Sequence, residues 1–209
     1  DGVYKNSTVY INGQALGTRP YGYATFQYDM TAYIHEGENV LAVKVDNSKQ
    51  PDSRWYTGAG IYRHVWMTTS SPVYVGHWGT FVTTPKVSAK EASVNVETIL
   101  VNDYPENVSL KIISTVIDPA GTEVAKQSQN AKIATAKDLT LNTKLNVQSP
   151  QLWDTEHPNL YQLITKVFKG NELKDTYTST FGIRSLQFKT DSGFYLNGKN
   201  VKILGVCNH

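Results

Sequence analysis

Apolar and polar residues alternate with a period of two along most of this chain, and no apolar run with helical spacing is longer than two turns. A period of two is typical of β-strands that bury one face. The dipeptides Asn12-Gly13 and Asn197-Gly198 each interrupt this alternation between two apolar segments. Because Asn-Gly readily takes positive φ at both positions, each is predicted to close a tight hairpin. The sequence therefore predicts an all-β fold.

Turn chemistry divides the chain into regions. A polar, glycine-containing stretch at residues 46–60 is followed, from about residue 73, by short strands with few aromatic residues. Turn sequences such as Asp118-Pro119-Ala120-Gly121 separate these strands. About 110 residues of this kind predict an immunoglobulin-like sandwich, in architecture only, since the paired cysteines of antibody domains are missing. The predicted strands are residues 76–82, 93–102, 109–118, 139–147, 161–168 and 176–181.

Two further apolar segments are predicted to be strands of different kinds. Residues 40–45 carry their apolar side chains mainly on one face, as a half-buried strand does. Residues 201–206, which follow the second hairpin, are apolar on both faces. This second pattern suits a strand that is covered on both sides.

Charge and composition exclude several functions. The chain has 20 Lys and Arg against 18 Asp and Glu, and this net charge of +2 is too small for the basic face of a nucleic-acid-binding protein. No window approaches eighteen consecutive apolar residues, which excludes a transmembrane helix. The single cysteine, Cys207, cannot form an internal disulfide, and no Cys or His spacing resembles a zinc site. Localisation stays open between cytoplasmic, periplasmic and secreted.

The first residues contain neither a Met nor a secretory signal, so the chain is expected to begin inside a longer gene product. Four stretches then carry the most specific patterns. They are VYING with GY and FQYDMT in residues 9–31, GENVLAV with WYTGAGIYR in residues 37–63, LW with EHPNLY in residues 152–161, and FGIR with FYLNGK and GVCNH in residues 181–209. In this order they resemble glycoside hydrolase family 2, the beta-galactosidase and beta-glucuronidase group.

The resemblance implies a three-part layout. Residues 1–73 would be the C-terminal half of a sugar-binding jelly-roll domain, a partial β-sandwich. Residues 74–182 would be a complete immunoglobulin-like β-sandwich. Residues 183–209 would be the terminal hairpin and the first strand that begin a catalytic TIM barrel, a fold that needs about 250 residues in all.

Retaining glycosidases use two carboxyl groups about 5 to 5.5 Å apart. The resemblance implies that both are glutamates on later barrel strands, which this chain does not contain. No catalytic residue is therefore assigned, and this segment alone is expected not to hydrolyse a glycoside. The resemblance implies no cofactor for the segment, and Mg²⁺ or Na⁺ as the candidate cation of the parent enzyme.

Four candidate substrate-binding residues follow from the resemblance. A loop before Trp55 is implied to lend an acidic residue to a galactose pocket, and Asp52 matches best, with Arg54 beside it. The carboxylate of Asp52 can accept sugar hydroxyl protons, and Trp55 can stack on a pyranose ring. Ordinary turn chemistry, interface packing and pairing of Arg54 with a barrel carboxylate are the competing interpretations. His209, at the C-terminal end of the predicted barrel strand, would contact a substrate hydroxyl, or else be a terminal residue without a partner.

The function implied is that of a non-catalytic N-terminal part of a beta-galactosidase-like retaining glycosidase, which supports the barrel and completes its substrate pocket. A beta-glucuronidase of the same family, a stand-alone carbohydrate-binding module and an immunoglobulin-like adhesion protein are the alternatives. The partners implied are a carbohydrate and the rest of the same chain, with no nucleic acid and no membrane. A jelly roll needs about eight strands, so exposed edges in residues 1–73 predict a homo-oligomer.

Overall fold

The computed structural model describes residues 1–49 and 57–207 and divides into two compact units, residues 1–68 and 69–209. Strands make up 55% of the described residues. In the described residues the one helical element is a single 3₁₀ turn, Thr31–Tyr33. The predicted all-β class is confirmed.

The first unit contains two small antiparallel sheets. One pairs β1 (Val3–Tyr4) with β5 (Gly60–Ile61). In the other, β2 (Ser7–Ile11) lies between β3 (Gln14–Arg19) and β4 (Leu41–Lys44). Both sheets bring residues from the start of the unit against residues that follow much later in the chain, so the sequence-distant segments of the unit are joined by strand pairing.

The first predicted hairpin is confirmed. Asn12 and Gly13 take φ of 49° and 81° between β2 and β3, the left-handed conformation that an Asn-Gly turn favours. The Asn12 side chain also ties the turn to a distant segment: Nδ2 donates to Asn39 Oδ1 at 2.8 Å, and Oδ1 accepts from the Val40 amide at 2.8 Å. One residue thus shapes the turn and holds the start of β4.

The predicted half-buried character of residues 40–45 holds for Val43 and Val45 but not for the first two residues. β4 forms within this segment, but Val40 is 60% and Leu41 49% exposed. β4 is an edge strand, paired only with β2 in the three-stranded sheet. In the central strand, alternate residues such as Val9 and Ile11 are buried.

The second unit contains a sandwich of two antiparallel sheets. One has the order β10-β7-β6 and the other the order β12-β11-β8-β9. This three-on-four arrangement confirms the predicted immunoglobulin-like sandwich. Its strands are β6 (Val73–Val87), β7 (Glu91–Asn102), β8 (Val108–Ile117), β9 (Glu123–Ile133), β10 (Lys137–Gln148), β11 (Tyr161–Lys169) and β12 (Glu172–Phe181).

Six of these seven strands coincide with predicted ones, and β9 is the strand that the prediction missed. β9 lies at the edge of its sheet, and between Lys126 and Ser128 its side chains are exposed on both faces. Such a strand shows no apolar alternation, since neither of its faces is fully covered. Polar side chains on an edge strand also discourage pairing with another chain.

The sandwich core consists of two apolar clusters. Along two of its strands, a buried threonine lies between the residues of one cluster and those of the other. One cluster is centred on residues such as Val94 and Leu163, and the other on residues such as Leu100 and Ile112. Along β7, Thr98 falls between the two clusters, and along β11 Thr165 does the same. The fully buried hydroxyl residues of the sandwich are Thr98, Ser114, Thr143 and Thr165.

A tyrosine fixes the connection that precedes β11. Tyr161, at the first position of β11, is 2% exposed, and its hydroxyl accepts a hydrogen bond from the Gln151 amide at 2.8 Å. This resembles the tyrosine corner of immunoglobulin-like domains, where a tyrosine at the start of a strand bonds backbone upstream. Burial raises the pKa of the Tyr161 phenol above its ordinary value.

The second predicted hairpin is confirmed, but the strand predicted at residues 201–206 is not formed. β13 (Leu186–Lys189), β14 (Gly193–Leu196) and β15 (Lys199–Asn200) make a separate three-stranded sheet with the Asn197-Gly198 turn between β14 and β15. Residues 201–207 have no strand, and Val206 is 98% exposed. A strand needs a neighbour to hydrogen-bond with, and the described chain supplies none beyond β15.

Candidate functional site

All four predicted substrate-binding residues lie outside the described part of the chain. Asp52, Arg54 and Trp55 fall in residues 50–56, and His209 falls in residues 208–209. The structure does describe the residues on either side of the first group. The candidate site is therefore built from the described ends of the predicted loop, on either side of residues 50–56.

One short segment, residues 2–6, holds both ends of this loop. At the first end, the Asp46 amide donates to Lys5 O at 3.2 Å, and Asn6 Nδ2 donates to Asp46 O at 3.0 Å. At the second end, β1 pairs with β5, and the Tyr62 amide donates to Gly2 O at 3.2 Å. Gly2 and Lys5 are three residues apart, so the two backbone carbonyls that anchor the loop ends belong to residues at most about 11 Å apart.

Glycine–tyrosine packing reinforces the same segment. A Cβ on Gly2 would lie 2.6 Å from the Tyr62 ring, and a Cβ on Gly22 would lie 2.4 Å from the Tyr4 ring. The Tyr62 hydroxyl donates to Gly22 O at 2.8 Å. Each tyrosine ring thus occupies the space that a side chain at the glycine position would fill. The first unit therefore needs glycine at both positions.

The carboxylate at the start of the loop is held in its charged form. The Ser48 hydroxyl donates to Asp46 Oδ1 at 2.6 Å and the Ser48 amide donates to the same atom at 3.0 Å. These two bonds, the hydroxyl's first, lower the pKa of Asp46 below its ordinary value. Asp46 therefore serves as a turn residue at the loop's beginning, while its backbone is fixed by residues 5 and 6.

A second cluster lies in the sandwich unit and joins three of the motif segments. The Trp153 amide donates to Ile183 O at 2.8 Å, and Asn197 Nδ2 donates to Trp153 O at 3.0 Å. The Arg184 guanidinium lies over the Trp153 ring, 4.5 Å from its centroid. Sequence reasoning identified these residues separately as motif members and missed that they touch. The asparagine of the predicted Asn197-Gly198 turn was the one signal in the sequence for this contact. Its side chain can form a hydrogen bond with the backbone of another segment.

The described residues offer no metal site and no membrane segment. Across residues 1–49 and 57–207, no three His, Cys, Asp or Glu side chains come together as a cation would require. In the same ranges, no helix has the length and hydropathy needed to cross a bilayer.

Two consecutive β-sandwich-type units, each with a hairpin closed by Asn-Gly, define a modular all-β protein. The profile described as "Glycosyl hydrolases family 2, sugar binding domain" matches residues 1–71, and the profile described as "Glycosyl hydrolases family 2" matches residues 73–184. The chain belongs to glycosyl hydrolase family 2, which confirms the resemblance found in the sequence.

Similar proteins are glycosidases much longer than this chain. A beta-galactosidase of Bacteroides ovatus is 48% identical over the whole chain, which spans 25% of that protein. A putative beta-glucuronidase of Formosa agariphila is 39% identical over the whole chain, which spans 19% of it. The crystal structure of a family 2 member from Bacteroides cellulosilyticus superposes with a TM-score of 0.95 at 34% identity, covering all of this chain and 29% of that one. The chain thus spans about a quarter of the length of these relatives.

Proposed function

We propose that this chain is the N-terminal, non-catalytic part of a retaining glycosidase that hydrolyses terminal non-reducing β-D-galactosides. The observation that carries the proposal is the 48% identity, over every residue of the chain, to a beta-galactosidase. The described residues fit a supporting part, since they hold loop ends and a hairpin in place. The two catalytic glutamates belong to the barrel that follows, and the segment alone is inactive.

The division of labour follows the three predicted regions. Residues 1–73 form the C-terminal half of the sugar-binding domain, and residues 74–182 form the sandwich that spaces it from the barrel. Residues 183–209 lead into the barrel and supply its first strand, which forms once neighbouring barrel strands are present to bond it. The exposed Leu204 and Val206 support this role, because apolar residues of this kind are covered in a barrel strand.

The substrate contacts are made at the rim of the pocket. Asp52 accepts sugar hydroxyl protons, Arg54 orients that carboxylate or a substrate hydroxyl, Trp55 stacks on the pyranose, and His209 bonds a hydroxyl from the first barrel strand. The hydrogen bonds of Lys5 and Asn6 to Asp46 support the loop assignment, because a binding residue on a loop needs fixed ends.

A beta-glucuronidase is the second candidate, favoured by the 39% identity to a putative beta-glucuronidase over the whole chain. The two candidates differ in whether the substrate carries a carboxylate, which a pocket must pair with a cation. The test compares kcat/KM of the full-length protein on p-nitrophenyl β-galactoside and β-glucuronide. We expect a preference of at least about 100-fold for the galactoside, the scale set by matched against unmatched polar groups. The opposite preference would identify the glucuronidase.

The site assignment is tested by Asp52→Asn in the full-length protein. Loss of a charged acceptor costs about 1.5–3 kcal/mol, which lowers kcat/KM about 10- to 100-fold, mainly through KM. Asp138→Asn, on an exposed position of β10, is the control and should leave both constants unchanged. Equal constants for both variants would remove Asp52 from the site.

The isolated 209-residue chain is proposed to self-associate. Apolar side chains of the first unit are strongly exposed, including Trp66 at 72% and Met67 at 68%. Exposed apolar surface and open strand edges favour association. Light scattering on the purified chain should show a dimer or larger species, and a clean monomer would contradict the proposal.

A further inference from the structure

Three sequence-distant segments meet at a single tryptophan. The Trp153 amide donates to Ile183 O at 2.8 Å, the Trp153 carbonyl accepts from Asn197 Nδ2 at 3.0 Å, and the Arg184 guanidinium lies 4.5 Å from the ring centroid. We name residues Trp153, Gly182, Ile183, Arg184 and Asn197 the Trp153 joint. It binds the connection before β11, the end of β12 and the turn of the last hairpin.

The sandwich side of the joint is closely packed. Ile183 is 0% exposed and belongs to the same apolar cluster as Leu163, with Leu152 packed against that cluster. A Cβ on Gly182 would lie 2.8 Å from Trp153 Cβ and 2.9 Å from its Cγ. The backbone at residues 182–183 therefore has one position relative to Trp153, since the interior does not yield to extra volume.

The hairpin side is held by one amide group. Asn197 takes φ of 50° in the turn, its Oδ1 accepts from the Ser185 amide at 2.9 Å, and its own amide donates to Ser185 O at 2.9 Å. Its Nδ2 remains for Trp153 O. Asn197 thus closes the hairpin and also binds it to the sandwich. The strands of this hairpin are four residues or fewer, and so small a sheet gets its orientation from outside contacts.

We propose that the Trp153 joint is a positioning device that sets the direction in which the chain leaves the sandwich toward the catalytic barrel. The inference rests on the proposed function. In that function the sugar-binding loop precedes the sandwich and the catalytic carboxylates follow the joint, so the joint lies on the covalent path between them. A displacement of about 1 Å at a binding group can cost about 100-fold in rate. In this proposal Trp153, Arg184 and Asn197 are positioning residues, because each acts through its contacts with the other residues of the joint.

The experiment uses the full-length protein with Asn197→Asp and a matched control. Aspartate keeps the positive φ and the Oδ1 acceptor but places a carboxylate against Trp153 O, so only the bond to the sandwich is lost. Asn200→Asp is the control, because Asn200 Nδ2 donates only within the hairpin, to Ser192 O at 2.6 Å and Phe194 O at 3.3 Å. We expect KM to rise about tenfold in Asn197→Asp with kcat within twofold, since the chemistry stays in the barrel, and no change in the control.

Two further measurements separate positioning from folding. Arg184→Met should raise KM as Asn197→Asp does, and Arg184→Lys should restore it in part, because Lys keeps a cation over the ring. Small-angle X-ray scattering should show a larger radius of gyration for Asn197→Asp than for Asn200→Asp, with equal thermal midpoints. Equal KM and equal scattering for the two Asn variants would overturn the inference. If the wild-type protein is inactive on both glycosides, the proposed function is wrong. The scattering comparison between Asn197→Asp and Asn200→Asp then still tests whether the Trp153 joint fixes the direction of the chain.

Discussion

Two buried hydroxyls in the sandwich core have no hydrogen-bond partner among the described residues, and replacing them should stabilise the protein. Thr98 and Thr165 are each 0% exposed, and their Oγ1 atoms are unpaired. Leaving a buried hydroxyl unpaired costs about 1–3 kcal/mol. Valine has nearly the same shape and replaces the hydroxyl by a methyl group. We therefore expect Thr98→Val and Thr165→Val each to raise the free energy of unfolding by about 1–2 kcal/mol.

The assay is thermal or urea unfolding of the 209-residue chain, following the transition of the sandwich unit. For a domain of this size, 1 kcal/mol shifts the midpoint by about 4 °C, so each variant should melt several degrees higher. Thr143→Val is the matched control. Thr143 is equally buried, at 2%, but its Oγ1 accepts from Gln129 Nε2 at 2.7 Å. That variant should lower the midpoint, because the same substitution removes a bond that exists.

The reasoning is refuted if Thr98→Val or Thr165→Val lowers the midpoint as Thr143→Val does. Such a result would mean that the hydroxyls are paired, for example through a buried water that bridges both. The double variant distinguishes the cases further. Independent unpaired hydroxyls give additive gains, whereas two hydroxyls that share a partner give a coupling energy.

Three other predictions concern single positions. In the bulge of β6, Gly79→Ala should destabilise by about 1–3 kcal/mol, since its Cβ would lie 2.5 Å from Gly76 O. Gly76→Ala is the control, because its Cβ would meet no atom closer than 3.4 Å, and equal unfolding midpoints for the two variants would contradict this. Tyr161→Phe should cost about 1–2 kcal/mol because the Gln151 amide loses its acceptor, and unchanged urea unfolding would show that water replaces the hydroxyl. The hydrogen bond from the His157 amide lowers the pKa of Asp154 below its ordinary value of 3.8. The charged carboxylate therefore stabilises the fold above pH 3.8, and this contribution is lost as pH falls through the lowered pKa. The difference in urea midpoint between the wild type and Asp154→Asn should shrink as pH falls through this range, and a difference that stays constant with pH would contradict the prediction.

The elements that could be predicted are those whose signal lies within a few residues. The Asn12-Gly13 and Asn197-Gly198 turns followed from backbone preference alone, and both have positive φ at both positions. The strands of the sandwich followed from alternation because one of their faces is buried. Strand β9 carries no such signal, since its side chains are exposed on both faces between Lys126 and Ser128. The apolar pattern of residues 201–206 predicts a strand that neighbouring elements cover on both faces, and the described residues contain no such neighbours.

The contacts that build the candidate site were beyond prediction, because they join residues far apart in sequence. Asn197 and Trp153 are 44 positions apart, and the Tyr62 hydroxyl reaches Gly22 O over 40 positions. A glycine that must admit a ring from elsewhere looks in sequence like any turn glycine. Only the fold shows that Gly2 and Gly22 lie beneath tyrosine rings, whereas Gly13 and Gly198 serve positive φ in open space.

The four stretches that carry the family resemblance form two contact clusters, each organised by the asparagine of an Asn-Gly turn. Asn12 binds Asn39 and Val40, which joins the first stretch to the second. Asn197 binds Trp153, which joins the fourth stretch to the third. These bonds join residues of the chain to one another, so they serve its architecture and would suit an enzyme for galactosides or for glucuronides alike. Such an arrangement fits the whole-chain similarity to both a beta-galactosidase and a putative beta-glucuronidase. We therefore expect that exchanging the Asn12 and Asn197 clusters between such enzymes leaves their substrate preference unaltered, and a changed preference would contradict this architectural role.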